Sequence, residues 1–99
     1  MYWLMVCRHR ANAGDLREQH REAHRQHVAT GGDGLARVLT EDDGETPAGN
    51  FGILEASSRE AARAFAENDP YARAGLVESI EITALASRFQ AHRIDPMTG

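Results

Sequence analysis

The opening run Tyr2-Trp3-Leu4-Met5-Val6-Cys7 is apolar at every position, and it constrains the fold more than any other stretch of the chain. Its aromatic and β-favouring residues predict a strand over Tyr2–Arg8. Successive side chains of a strand point to opposite faces, so Tyr2, Leu4 and Val6 share one side and Trp3, Met5 and Cys7 the other. A strand apolar on both sides has to be covered on both. Leaving the second set in water would forgo roughly 25 cal/mol for each Å² of apolar surface left unburied. The run is too short for a signal peptide's apolar region or a bilayer span, so the expected location is cytoplasmic.

Punctuation along the chain predicts the remaining elements. Asn12-Ala13-Gly14-Asp15 is turn material, with Asp15 placed to cap a helix from Leu16 to about Ala29. Thr30-Gly31-Gly32-Asp33-Gly34 stops that helix, and Leu35–Thr40 alternates as a second strand. Glu41–Asn50 is polar and without packing residues, which predicts a mobile loop that serves as a lid or only as a connection. Phe51–Ala56 is the third strand. Ser57, with Glu60 three residues on, has the capping-box signature of a second helix whose apolar face is Ala61, Ala62, Phe65 and Ala66. That helix ends near Asn68-Asp69, because Pro70 disfavours helical geometry in the residue before it. Tyr71–Gly75 makes a corner, and Leu76–Leu85 supplies a fourth strand.

The order is β-α-β-β-α-β, the ferredoxin-like α+β arrangement with two helices on one face of an antiparallel sheet. Two helices cover one face only, so the other face of the first strand predicts a homodimer packed sheet to sheet. The boundaries are one domain over residues 1–86 and a polar tail over 87–99 that frays.

Composition narrows the function classes. A formal charge of −4 argues against a nucleic-acid or anionic-membrane partner. All eleven basic residues are arginine, suited to carboxylate or phosphate recognition, although the absence of lysine reads as coding bias. Cys7 is the single cysteine and has no partner for an internal disulfide. It reads as a small apolar packing residue.

The stretch LREQHREAHRQHV concentrates three histidines on the first helix. Leu16, His20, Ala23 and His27 fall on one stripe, with His24 at its edge. Histidines four apart can chelate a metal, but His20 and His27 are separated by roughly 10 Å along a helix axis. His9 is the sole helper in reach, and no cysteine–histidine cluster lies elsewhere, so no metal and no cofactor are expected. His20 and His27 read as half-buried amphipathic residues near a subunit surface. His24 differs because Arg17 and Arg21 precede it on the adjoining flank. Their fixed charge favours the neutral, proton-accepting imidazole.

Two segments together, LREQHREAH and FAENDPYARAGLVESIEI, resemble the YciI-like (YCII-related) family of small dimeric α+β barrel proteins. The resemblance runs from Met1 to about Leu85 and includes GNFGILEA. It implies that His24 and Asp69 form a polar pair in a cleft, as catalytic candidates, with Arg17, Arg21 and the aromatic Tyr71 as substrate-binding candidates. The chain departs from the family pattern at Glu22, where proline is common, and at Arg25 and His27, where apolar residues usually follow the histidine. These departures make the helix surface more polar. Taken alone, Asp69-Pro70 is ordinary helix-stop chemistry.

A histidine oriented by an aspartate can serve as general base and acid. No serine or cysteine accompanies the pair, and Thr30–Gly34 follows a helix instead of leading a strand into one, so it is no phosphate loop. The resemblance therefore implies cofactor-independent acid–base chemistry, of isomerase, lyase or dehydrochlorinase type, on a small and anionic organic molecule. A non-catalytic module binding the same ligand, and a structural dimer braced by the polar pair, are the alternative classes.

Overall fold

The computed structural model describes residues 1–31 and 35–89. Four strands, β1 (Tyr2–His9), β2 (Leu35–Thr40), β3 (Pro47–Glu55) and β4 (Val77–Ala84), form one sheet in the order β2-β3-β1-β4. Every pairing is antiparallel. Helix α1 (Gly14–Val28) joins β1 to β2, while α2 (Arg59–Glu67) and the one-turn α3 (Pro70–Arg73) join β3 to β4. This is the ferredoxin-like arrangement, with helices on one face. Gly32–Gly34 of the expected helix stop and residues 90–99 of the expected tail lie outside the described residues.

The doubly apolar β1 lies in the interior of the sheet, between β3 and β4. The helices cover Trp3, Met5 and Cys7, which are buried with Leu54 around Ala62 and Ala66 of α2.

 Ile82 of β4 closes the same cluster. The open face carries Tyr2, Leu4 and Val6, which are half-buried, and the register sets Ile53 and Phe51 beside Leu4 and Val6. This reverses the expectation that Trp3, Met5 and Cys7 would be the set left uncovered. The physical reason is the alanine face of α2, whose small side chains leave room for the bulkier tryptophan and methionine. Arg59 adds its guanidinium 5.4 Å from the Trp3 ring.

Three boundaries differ from the sequence reading. Asp15 does not cap α1: the N-cap is Ala13 with no side-chain hydrogen bond, and Asp15 sits in the first turn. Asn12, at φ 59°, turns the chain before Asp15 is reached. The cap of α2 is Ser58, whose side chain accepts from the Ala61 amide, in place of Ser57. Ala61 is accordingly exposed, and the packing face is Ala62, Phe65 and Ala66.

The largest difference is β3, which starts at Pro47, so the loop expected over Glu41–Asn50 contracts to residues 41–46. Asp43 closes it by accepting from the amides of Glu45 and Thr46 at 2.8 and 2.9 Å and from the Thr46 hydroxyl at 2.6 Å. These bonds, the Thr46 hydroxyl foremost, hold the Asp43 carboxyl down at about 2. The segment is a tight turn and not a lid, and it hands Asn50 to the buried side of the sheet.

Gly49 lets β3 approach β1 beside that asparagine. A Cβ there would lie 2.2 Å from the Cys7 carbonyl oxygen, backbone that cannot swing aside. Gly49→Ala is expected to destabilise the fold by about 1–3 kcal/mol, the usual range for overpacking. Gly14→Ala, at a helical position with nothing within 4 Å of the added carbon, is expected to be neutral or mildly stabilising. Urea denaturation of the two variants checks the contrast.

Candidate functional site

Helix α1 has no fully buried residue. It packs on α3 and stands away from the β2–β3 half of the sheet, leaving a cavity of about 470 Å³ beneath it. Arg17, Arg21, His24 and Val28 line it from the helix, three or four residues apart along one stripe, with Arg25 beside His24. Val38, Asn50 and His9 line it from the strands, and Tyr71 from α3.

Asp69 organises the α3 end. Its φ and ψ of −60° and 133° are extended, and its side chain accepts from the Tyr71 amide at 2.9 Å, capping the helix that Pro70 begins. The helix closes in a Schellman motif: the Leu76 amide donates to Tyr71 O and the Gly75 amide to Ala72 O, with Gly75 at φ 79°. The expected corner at Tyr71–Gly75 is therefore a capped helical turn, fixed at both ends.

His24 reaches this cap from α1. Its Nδ1 lies 2.7 Å from Asp69 Oδ2 and 2.9 Å from Oδ1. Because the carboxylate only accepts, Nδ1 carries a proton, and in the neutral ring Nε2 holds the free lone pair. Tyr71 stacks on the His24 ring at 4.1 Å and 11°, and meets His9 edge-on at 5.2 Å. Burial pushes the Tyr71 phenol up, against the pull of the Arg21 and Arg17 charges. It therefore stays neutral across the physiological range.

His9 is held in the opposite way. Arg17 Nη2 donates to its Nδ1 at 3.1 Å, and its Nε2 lies 3.1 Å from Asn50 Oδ1. A guanidinium only donates, so His9 is neutral with its proton on Nε2. Burial lowers the His9 pKa from the usual 6.5; the bond to Asn50 opposes that and the Arg17 charge adds to it. Two donors in this corner, Arg17 Nε and Asn50 Nδ2, are buried without an acceptor among the described residues. A buried donor left unmade costs about 1–3 kcal/mol.

The expected site residues thus converge. Arg17, Arg21, His24 and Tyr71 share the cavity wall, with Asp69 directly behind His24. Arg21 also pairs with Glu18 at 2.5 Å. His27 turns away, donating to the Phe65 carbonyl at 2.7 Å and stacking on that ring at 4.3 Å. Among the described residues no three potential metal ligands gather. Cys7 is buried in the core, its thiol pushed up to about 12 by burial and then by the charge of Asp69.

Sequence reasoning considered His9 only as a metal helper and left Asn50 in a loop. The signal for both was periodicity. His9 continues the inward phase of Trp3, Met5 and Cys7, and Asn50 shares the phase of Leu54 two residues beyond Gly52.

A family model of the YCII-related domain matches residues 1–86. The chain belongs to the YCII-related family. Among solved structures it is similar to 5-chloro-2-hydroxyhydroquinone dehydrochlorinase from Burkholderia phenoliruptrix, in complex with 2,5-dihydroxybenzoquinone. The identity is 25% and the TM-score 0.70, covering 87% of this chain and 94% of that one. No curated protein matched. No described helix of this YCII-related chain is long and apolar enough to cross a membrane.

The neutral His9 makes stability depend on pH. Its folded pKa lies below the unfolded value of 6.5, so the unfolded chain takes up its proton first. The stability contribution is complete above that value and is lost as pH falls toward the depressed folded one. Melting temperature is expected to decline more steeply between pH 7 and 5 in the wild type than in His9→Gln. Equal slopes in the two proteins would separate His9 from the effect.

Proposed function

We propose that this chain is a cofactor-independent enzyme that uses His24 and Asp69 for acid–base chemistry on a small, anionic organic molecule. The reading rests on one observation above others: the His24–Asp69 hydrogen bond through Nδ1, which leaves Nε2 as the atom that can accept a proton, beside a cavity lined with arginines. The cavity volume is in the range of small-molecule sites. Structural similarity to a dehydrochlorinase supports the same reaction class.

In the mechanism, Arg17 and Arg21 hold an anionic group of the substrate. His24 Nε2 takes a proton from carbon or hydroxyl, and Asp69 stabilises the imidazolium that forms. The released electron pair either moves along a conjugated system, with His24 returning the proton elsewhere for an isomerisation, or expels chloride. In the second case His24 keeps the proton until solvent removes it, and the net loss is HCl. The flat contact with Tyr71 restrains the ring in the orientation this transfer needs.

We further infer that two copies pair through the open sheet face, where Tyr2, Leu4, Val6, Phe51 and Ile53 lie. Sedimentation at micromolar concentration is expected to give a dimer, and a monomer there would refute the pairing.

Turnover is tested by assaying chlorinated hydroxyquinols for chloride release, and unsaturated lactones for change in ultraviolet absorbance. On any substrate turned over, His24→Ala is expected to lower kcat by about 100-fold or more. Asp69→Asn preserves the cap of α3 and removes the charge, and it is expected to lower kcat with little loss of stability. An unchanged kcat in His24→Ala removes His24 from the mechanism.

A further inference from the structure

In the corner of the cavity occupied by His9, Arg17 and Asn50, the mechanism just described uses only the charge of Arg17. The corner contains a chain of forced choices. The guanidinium of Arg17 donates to His9 Nδ1, so His9 has to donate from Nε2. Asn50 then has to accept through Oδ1, and its amide cannot be flipped without setting donor against donor. What Asn50 has left is the Nδ2 group, which has no acceptor among the described residues, and Arg17 Nε has none there either. Asn50 is 5% exposed and lines the cavity. Its cross-strand neighbours are Cys7 and Val38, neither of which offers an acceptor from its side chain. Both unfilled valences are donors, and both belong to residues on the cavity wall.

We propose that Asn50 Nδ2 and Arg17 Nε bind an acceptor oxygen of the substrate, a carbonyl, enolate or phenolate oxygen, with His9 as the residue that positions the amide. The inference rests on the acid–base reading of the same cavity and names its substrate class. The molecule is an enolisable ketone or hydroxyquinoid whose oxygen is conjugated to the group that His24 deprotonates. As the proton moves to His24 Nε2, the electron pair moves onto the oxygen held by Asn50 and Arg17, and the two donors meet the charge where it develops. The preorganisation costs nothing at the moment of reaction, because Arg17 has already set the tautomer of His9 and His9 the orientation of Asn50.

The experiment is nitrogen NMR of the labelled full chain, with 2,5-dihydroxybenzoquinone as the probe. In the free protein His9 is expected as the neutral form protonated on Nε2, and in Arg17→Met that preference is expected to relax toward a mixture of tautomers. A His9 whose tautomer is not set by Arg17 would not respond in this way. Added probe is expected to shift the Asn50 side-chain amide, and Asn50→Leu is expected to weaken probe binding about tenfold. His9 protonated on Nδ1, an Asn50 amide that ignores millimolar probe, or wild-type affinity in Asn50→Leu would each overturn the subsite. The two readings fail separately. An Asn50 response without turnover of any substrate sinks the acid–base function and leaves the subsite standing. Turnover that needs His24 while the Asn50 amide stays silent sinks the subsite alone.

Discussion

The carboxylate of Asp69 holds together the part of the molecule that contains the cavity. It caps α3 through the Tyr71 amide and receives His24 Nδ1 from α1, while being 4% exposed. A buried carboxylate without such partners would be strongly unfavourable. Here each bond satisfies the charge and also fixes an element: the first sets where α3 begins, and the second ties α1 down over it. Helix α1 needs the tie, since it buries no residue fully and gains little from apolar packing. Its other anchors are polar as well, His27 on the Phe65 carbonyl and Arg17 on His9. A helix held at points, instead of along a packed stripe, leaves the space between itself and the sheet open.

That distribution of forces explains what was legible in the sequence. The strand and helix order followed from apolar periodicity and from Pro70, because β1 and α2 are built by burial, and burial leaves a two- or four-residue rhythm. His24, Asp69, Arg17, Arg21 and Tyr71 followed from motifs, and they do lie together. Local polar geometry was harder to read. Asp43 shortens its loop through three side-chain hydrogen bonds, which composition renders only as a polar, glycine-containing stretch. Asn12 starts α1 early by taking a left-handed conformation open to many turn residues. Asn50 was hidden by both effects: the shortened turn moves it into β3, and an asparagine facing a core does not look like a core residue until its partner is known.

Tyr71 separates two histidines that the same cavity holds in opposite tautomers. The anionic, accepting Asp69 puts the His24 proton on Nδ1, and the cationic, donating Arg17 puts the His9 proton on Nε2. Each choice passes outward. On one side of the tyrosine the unfilled valence is, in the neutral ring, a lone pair on His24 Nε2; on the other it is a pair of N–H groups on Asn50 and Arg17. A cavity that accepts at one end and donates at the other is polarised along its length without any net transfer of charge between the histidines. A molecule that loses a proton at one position and gains electron density at a conjugated oxygen is polarised in the same sense. The match depends on neither histidine being charged at rest, and burial together with the Arg17 guanidinium secures that condition for His9.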